Sequence, residues 1–478
     1  MKRLNKIGAG TQRGAALLVM MLLLITAMSA VLVSRVSVNN VRNQQLADSS
    51  EVLAMARDSL IDYAAILPDV APGQPAKLPC PDIDGSGGWR EGEAHRDACG
   101  ATGVTVIGRL PWRTLGLAPP KDGSGACLWY VVSGSHKDST TSSSPMVNPD
   151  SNGQLQVRAI DTDDWLAGAA PEQRPVALVI APMMSLQGQS RPAPAGGADS
   201  CSSGFAARDF LDADAASGIS NATVSGQPDV VDVFGVFTGS SDTHNDRVAV
   251  ITRADLARAV ESRHDYPDQV RELGLAVAGC LANYARNNPG GADDRRLPWP
   301  APVRMADYRS DSSYDDAASG VLAGRLPNAV DESSAQTGNS IAQALSACDA
   351  AAVPRWTPQM QSAWSNWKDH FFYAVAGSYA PDAPVPSTCV DCFTVNGAGQ
   401  LAAIVMFAGS RLDGLGQRRN APPLDVDTKD DAANYLEAEN LANMAYTGGA
   451  ADFRSGAAAA DFNDRLFCID MALNVAEC

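Results

Sequence analysis

A basic leader running straight into a long apolar stretch constrains this chain more than any other feature. Lys2, Arg3, Lys6 and Arg13 are positive with no acid among them, and from Ala15 to Val33 there are 19 residues without a charge, interrupted only by Thr26 and Ser29. At ~1.5 Å per residue such a helix reaches roughly 28 Å, about one bilayer core. The charge asymmetry would keep the leader cytoplasmic and send the rest outside. Neither glycine nor proline occurs between Ala15 and Leu67, so the helical pattern should run on to about Ile66, where Leu67-Pro68 stops it. Met55, Leu60, Ala64 and Leu67 mark an apolar stripe on its second half.

The remainder is large and acidic. At 478 residues the chain exceeds one compact domain, and its formal net charge of −17 argues against nucleic acid, whose phosphates it would repel. All ten cysteines follow the apolar segment, an even count that reads as disulfides in an oxidising compartment, the periplasm or cell surface.

An internal repeat organises the region after the helix. Leu60-Ile61-Asp62-Tyr63-Ala64 returns as Leu281-Ala282-Asn283-Tyr284-Ala285, and Leu78-Pro79-Cys80-Pro81 as Leu297-Pro298-Trp299-Pro300. Gly108-Arg109-Leu110-Pro111 matches Gly324-Arg325-Leu326-Pro327, and Leu128-Trp129-Tyr130 matches Phe371-Phe372-Tyr373. Gly188-Gln189-Ser190-Arg191 pairs with Gly416-Gln417-Arg418-Arg419, Phe210-Leu211-Asp212 with Tyr435-Leu436-Glu437, and Asn245-Asp246-Arg247 with Asn463-Asp464-Arg465. The offset of the aromatic block implies an insertion around 308–354. Each copy reads as a helix followed by short β-branched or aromatic runs: Val176–Ile180, Val230–Phe237 and Arg247–Thr252 in the first, Ala402–Phe407 in the second. Thr252-Arg253-Ala254-Asp255 is a capping box, and a further helix is expected from about Pro267 to Arg286 with Leu273, Val277, Cys280, Leu281 and Tyr284 inward.

The stretch Arg13-Gly14-Ala15-Ala16-Leu17-Leu18-Val19 resembles a class III prepilin leader, as in type IV pilins and type II secretion pseudopilins. It is most similar to PilX-type minor pilins and to the K-type minor pseudopilin of type II secretion. The resemblance implies cleavage after Gly14 by a prepilin peptidase, N-methylation of Ala15, and packing of the helix against other pilins or pseudopilins in a fibre core. It also implies storage in the inner membrane before assembly. The fifth mature residue is Val19, where major subunits carry a Glu that neutralises a neighbour's N-terminal amine. A subunit lacking it suits the fibre tip. A Sec signal peptide would share the basic and apolar regions, with small residues near Ser29-Ala30, but its apolar run is shorter.

Candidate sites are few. Asp82, Asp84, Ser86 and Glu93 fall at positions 1, 3, 5 and 12 of an EF-hand-like spacing with Gly87 at 6, which suits calcium, although Leu78-Pro79-Cys80-Pro81 cannot close an incoming helix. The alternative is an acidic turn closed by a Cys80–Cys99 disulfide. Asp161-Thr162-Asp163-Asp164 reads as a solvated turn. Cys389-Val390-Asp391-Cys392 has the spacing of a local disulfide, half a zinc site or a redox pair, and lacks the context for the last two. The five histidines sit in no recognisable nucleophile motif, so no enzymatic activity is expected. The aromatics Trp112, Trp129, Trp299, Trp364 and Trp367 read as core lids.

The expectation is therefore an α+β protein: a leader (1–14), a long N-terminal helix (15–66, with 15–33 transmembrane), and two tandem pilin-like heads of helix plus antiparallel sheet (67–262 and 263–478). It would be a minor pilin or pseudopilin, single-pass in the inner membrane with a periplasmic C-terminal region, acting at a pilus or pseudopilus tip in assembly initiation or in surface or substrate contact. The alternative is a membrane-anchored exported adhesin outside any fibre.

Overall fold

The computed structural model describes residues 13–70, 76–83, 90–101, 103–138, 147–148, 150–160, 162, 164–193, 200–201, 204–215, 218–223, 231–234, 243–287, 295–316, 320–330, 348, 350–383, 389–420 and 426–478. The architecture is mixed α and β, with several sheets. Helix α1 spans Arg13–Val70, so it runs past Leu67-Pro68, where the sequence was expected to end it near Ile66. Its buried line is Leu53, Ala56, Leu60, Ala64 and Leu67, spaced three or four apart as one helical face requires, while Met55 lies off that line and is 42% exposed.

One expectation is overturned. Among the described residues no helix is long and apolar enough to cross a membrane. The transmembrane reading of α1 and the single-pass inner-membrane placement built on it therefore fall.

Two antiparallel ladders carry the rest. In the first, β1 (Val106–Arg109), β2 (Trp129–Val132), β3 (Pro175–Ala181) and β4 (Arg247–Thr252) lie side by side in that order. Helices α2 (Arg253–Glu261) and α3 (Tyr266–Asn287) follow, Thr252 opening α2 with a capping box closed by Asp255. The second ladder repeats the order with β5 (Ala323–Arg325), β6 (Phe371–Val375), β7 (Ala398–Phe407) and β8 (Arg465–Asp470). Helix α4 (Pro358–Trp367) precedes β6. The strand expected over Val230–Phe237 is observed as Val231–Phe234 and pairs parallel with Leu155–Arg158, outside both ladders.

Strand β3 is apolar throughout because both its faces are covered. Ala177, Val179 and Ala181 pack with Leu53, Ala56 and Leu60 of α1, whereas Leu178 and Ile180 pack with Trp129, Leu155, Val157 and Phe210. In the second ladder, Leu273, Val277, Cys280, Leu281 and Tyr284 of α3 join Tyr373, Ala403, Val405 and Phe467 in one core. All five tryptophans named above are buried.

The repeated Leu-Pro-x-Pro and Gly-Arg-Leu-Pro motifs have one explanation. Asp82 pairs with Arg109 through the backbone, and Ala301 with Arg325, so the proline segment lies along β1 or β5. A Cβ on Gly108 would stand 2.5 Å from the Asp82 oxygen, and one on Gly324 would stand 2.3 Å from the Ala301 oxygen. Only glycine permits that approach.

Leu60→Ala should cost about 2–5 kcal/mol in chemical denaturation, since the side chain is fully buried, while Met55→Ala should be nearly neutral. Equal effects would mean that α1 packs in another phase.

Candidate functional site

Three of the repeated segments converge in each unit on a pair of buried acids. In the first, Asp212 accepts the backbone N–H groups of Asn245 and Asp246 at 2.6 and 2.7 Å. Asp246 in return accepts the Asp212 N–H at 2.8 Å and the Asn221 amide at 2.7 Å. The second unit repeats this with Glu437 and Asp464. Asp464 accepts the Glu437 N–H at 3.1 Å and the Asn440 amide at 3.0 Å, and Glu437 accepts the Asn463 N–H at 3.1 Å. Gln417 donates to Glu437 at 2.7 Å, while Gln189 reaches Asp212 at 3.5 Å. Each acid thus fastens the backbone of the segment that bears its partner. Burial, and then the negative charge of Asp212, push the Asp246 carboxyl well above its ordinary range; burial and then Glu437 do the same to Asp464. Each pair therefore retains a proton at a pH where isolated carboxyls have lost theirs.

Each Gly-Arg-Leu-Pro motif also supplies a buried arginine. The Arg109 guanidinium sits 4.1 Å from the ring centres of both Trp129 and Phe210 and donates to the carbonyls of Cys127 and Gly204. Arg325 sits 4.7 Å from Phe372 and Tyr435 and donates to Val303 and Lys429. Burial pulls the Arg109 pKa down to about 9, with Arg191 adding to the effect.

The junction between the units is buried and densely charged. Asp150, from the first unit, enters the second and ion-pairs with Arg419. It also accepts from Arg253 at 3.1 Å and lies 3.3 Å from the His370 ring nitrogen. Burial alone would raise the Asp150 carboxyl, but Arg419, His370 and Arg253 hold it below its ordinary range. Burial lowers His370, with Asp369 and Asp150 opposing. The ring is wedged against Trp367 at 5.0 Å and stacked on Phe407 at 5.8 Å, which fixes its position. Flanking residues complete the insertion. Asn148 donates to the Asn366 carbonyl at 3.0 Å and to Asp369 at 2.9 Å, and Asn152 to Asn420 at 2.6 Å. Asp369 is itself paired with Lys429, which overcomes its burial and lowers its pKa.

The residues singled out from sequence are dispersed. Gly14 and Ala15 lie in the first turn of α1. Cys80–Cys99 and Cys389–Cys392 are disulfides, as are Cys127–Cys201, Cys280–Cys348 and Cys468–Cys478. Asp84 and Ser86 of the candidate calcium loop lie outside the described residues, as do Asp161 and Asp163. Asp82 is buried, accepts the Gly92 N–H at 2.7 Å and lies 3.5 Å from His95, while Glu93 pairs with Arg90 at 3.0 Å. Among the described residues no group of three or more His, Cys, Asp or Glu is arranged to hold a metal ion. Sequence reasoning missed Asp150 and His370 as partners, because nothing local marks a contact across 220 residues. The acid pairs were legible only as matched repeat segments.

Comparison with family models, with curated proteins and with solved structures finds no match to this chain.

Two measurements test the electrostatics. A raised carboxyl stabilises the fold below its unfolded value, ~3.9 for Asp, and that contribution is lost as pH rises through the folded value. Asp246→Asn with Asp464→Asn should therefore gain on the parent by up to about 1.4 kcal/mol per group for each pH unit of that window, and match it near pH 3. Thermal melts from pH 3 to 9 would read this; a pH-independent difference would refute it. Asp150→Ala leaves Arg419 buried and uncompensated, and should cost about 3–5 kcal/mol in denaturant and expose the junction to limited proteolysis.

Proposed function

We propose that the chain is a minor subunit of a type IV pilus or type II secretion pseudopilus fibre, placed at the tip. There it would serve assembly initiation or contact with a surface, partner or substrate. One observation carries the reading: α1 is packed over only part of its length. Its buried face begins near Ser49 and Leu53, whereas every residue from Leu17 to Ile25, and Met28, is exposed and apolar, between 52 and 67% accessible. Apolar side chains on all sides of a helix demand apolar neighbours on all sides, not a single docking partner. At about 1.5–3 kcal/mol per fully buried side chain, the drive to enclose such a segment is large. A bundle of like helices, as in a pilin fibre core, supplies that enclosure. The Arg13-Gly14-Ala15 sequence at the start of the helix supports processing by a prepilin peptidase.

Two features favour the tip over the shaft. Val19 stands where repeating subunits carry an acid, so this subunit offers no carboxylate to a neighbour's amine. The double head, locked at Asp150, is bulky for regular lateral packing. Non-enzymatic action fits a molecule whose buried histidines and acids are engaged in holding segments together.

Mass spectrometry of protein from a strain with a prepilin peptidase should find N-methylated Ala15 as the first residue, and Gly14→Ala should retain the leader. Gold label on the head should mark one fibre end. An N-terminus near Ala30, or label spaced regularly along the shaft, would overturn the reading.

A further inference from the structure

The duplication shows what an occupied junction looks like, and by comparison which surface is still open. In the second unit the inserted carboxylate of Asp150 is held by Arg419 and His370, with Arg419 4.4 Å from the Tyr435 ring. The corresponding positions of the first unit follow from the ladder registers and the repeat. Arg191 stands for Arg419, Phe210 for Tyr435, and Cys127 for His370, two residues before Trp129 as His370 is two before Phe372. Met184 stands for Ser410, since Asn245 donates to the Met184 carbonyl at 2.7 Å and Asn463 to that of Ser410 at 2.6 Å.

These four first-unit residues line a single open cavity of about 500 Å³. Lys121, Ser124, Ser185 and Arg109 line it too. Arg419 has Asp150 in direct contact, whereas Arg191 makes no ion pair among the described residues: Asp122, Asp246 and Asp212 act on it only from beyond ion-pair distance, and its buried Nε has no hydrogen-bond partner. Its other nitrogens donate to the carbonyls of Pro182 and Phe210 and to Gln189, which fixes the head of the side chain at the cavity. Lys121 likewise has no acidic partner among the described residues. A basic recess in a chain of net charge −17 is complementary to an acid from elsewhere.

We propose that this cavity receives an Asp- or Glu-bearing loop of a partner protein, as the second unit receives the loop around Asp150. The partner's carboxylate pairs with Arg191 and Lys121, and the Phe210 ring and Met184 cover its stem. A second copy of this chain is a poor donor through the same loop, because its Asp150 is already buried in its own second unit. The inference does not depend on the fibre reading: it rests on the repeat and would hold for any partner that presents an acidic loop.

The test uses the full chain, methyl-labelled at methionine, with the Met184 signal assigned through Met184→Leu. The probe is the capped hexapeptide Val-Asn-Pro-Asp-Ser-Asn, the sequence of residues 147–152. Titration should move the Met184 methyl saturably, and the shift should shrink as salt rises. Replacing the peptide's Asp by Ala should abolish it. Lys121→Glu should weaken binding by about five-fold or more, the equivalent of one exposed ion pair. Ser185→Glu, on the exposed rim, tests the same charge dependence without touching a buried group. Thermal melts equal to the parent's would show that both variants fold. No saturable shift, a shift at other methionines with Met184 unmoved, or binding indifferent to both added carboxylates would overturn the proposal.

Discussion

Asp150 gives up its hydration on entering the second unit and receives in exchange Arg419, Arg253 and the His370 ring. Such burial is expensive, and an apolar contact of the same size would often be as stable. What the charge adds is uniqueness. A carboxylate lowered between two arginines tolerates no sliding, so the two repeats are held in one relative placement, and Asn148 and Asn152 fasten the loop on either side. The rest of the architecture can then be read as two similar ladders kept in register by one buried ion cluster.

Within each ladder a second polar centre does comparable work over a shorter range. Asp212 with Asp246, and Glu437 with Asp464, tie together segments that no strand pairing joins. The arginines of the Gly-Arg-Leu-Pro motifs, flanked by aromatic rings, support long loops by donating to their carbonyls. Loop-rich heads of this kind have few helical or strand hydrogen bonds to order their connections. Buried acids and arginines supply them, and disulfides such as Cys127–Cys201 close the longest excursions.

Helix α1 differs in kind from both heads. Its second half is an ordinary amphipathic element, with Leu53, Ala56, Leu60 and Ala64 against the first sheet. The stretch Leu17–Ile25 is exposed and apolar on every side. The two stretches therefore ask for different environments, of which the chain itself supplies one.

The repeat, helices α2 and α3, strands β3, β4 and β7 and the capping box at Thr252 were legible in the sequence because each rests on local periodicity or on matched motifs, whereas α4 was not foreseen and α1 runs past its expected stop. Spacing alone also marked the Cys389–Cys392 pair. The phase of the α1 stripe was missed at Met55, since a 3.6-residue period read from few apolar positions admits more than one line. The bilayer reading failed for a related reason: absence of charge along a segment does not establish an apolar helix of spanning length. Tertiary structure alone decided the junction. Asp150, Arg253, His370 and Arg419 lie far apart in the chain, and only folding brings their charges within reach of one another, where loss of water makes each interaction strong enough to matter.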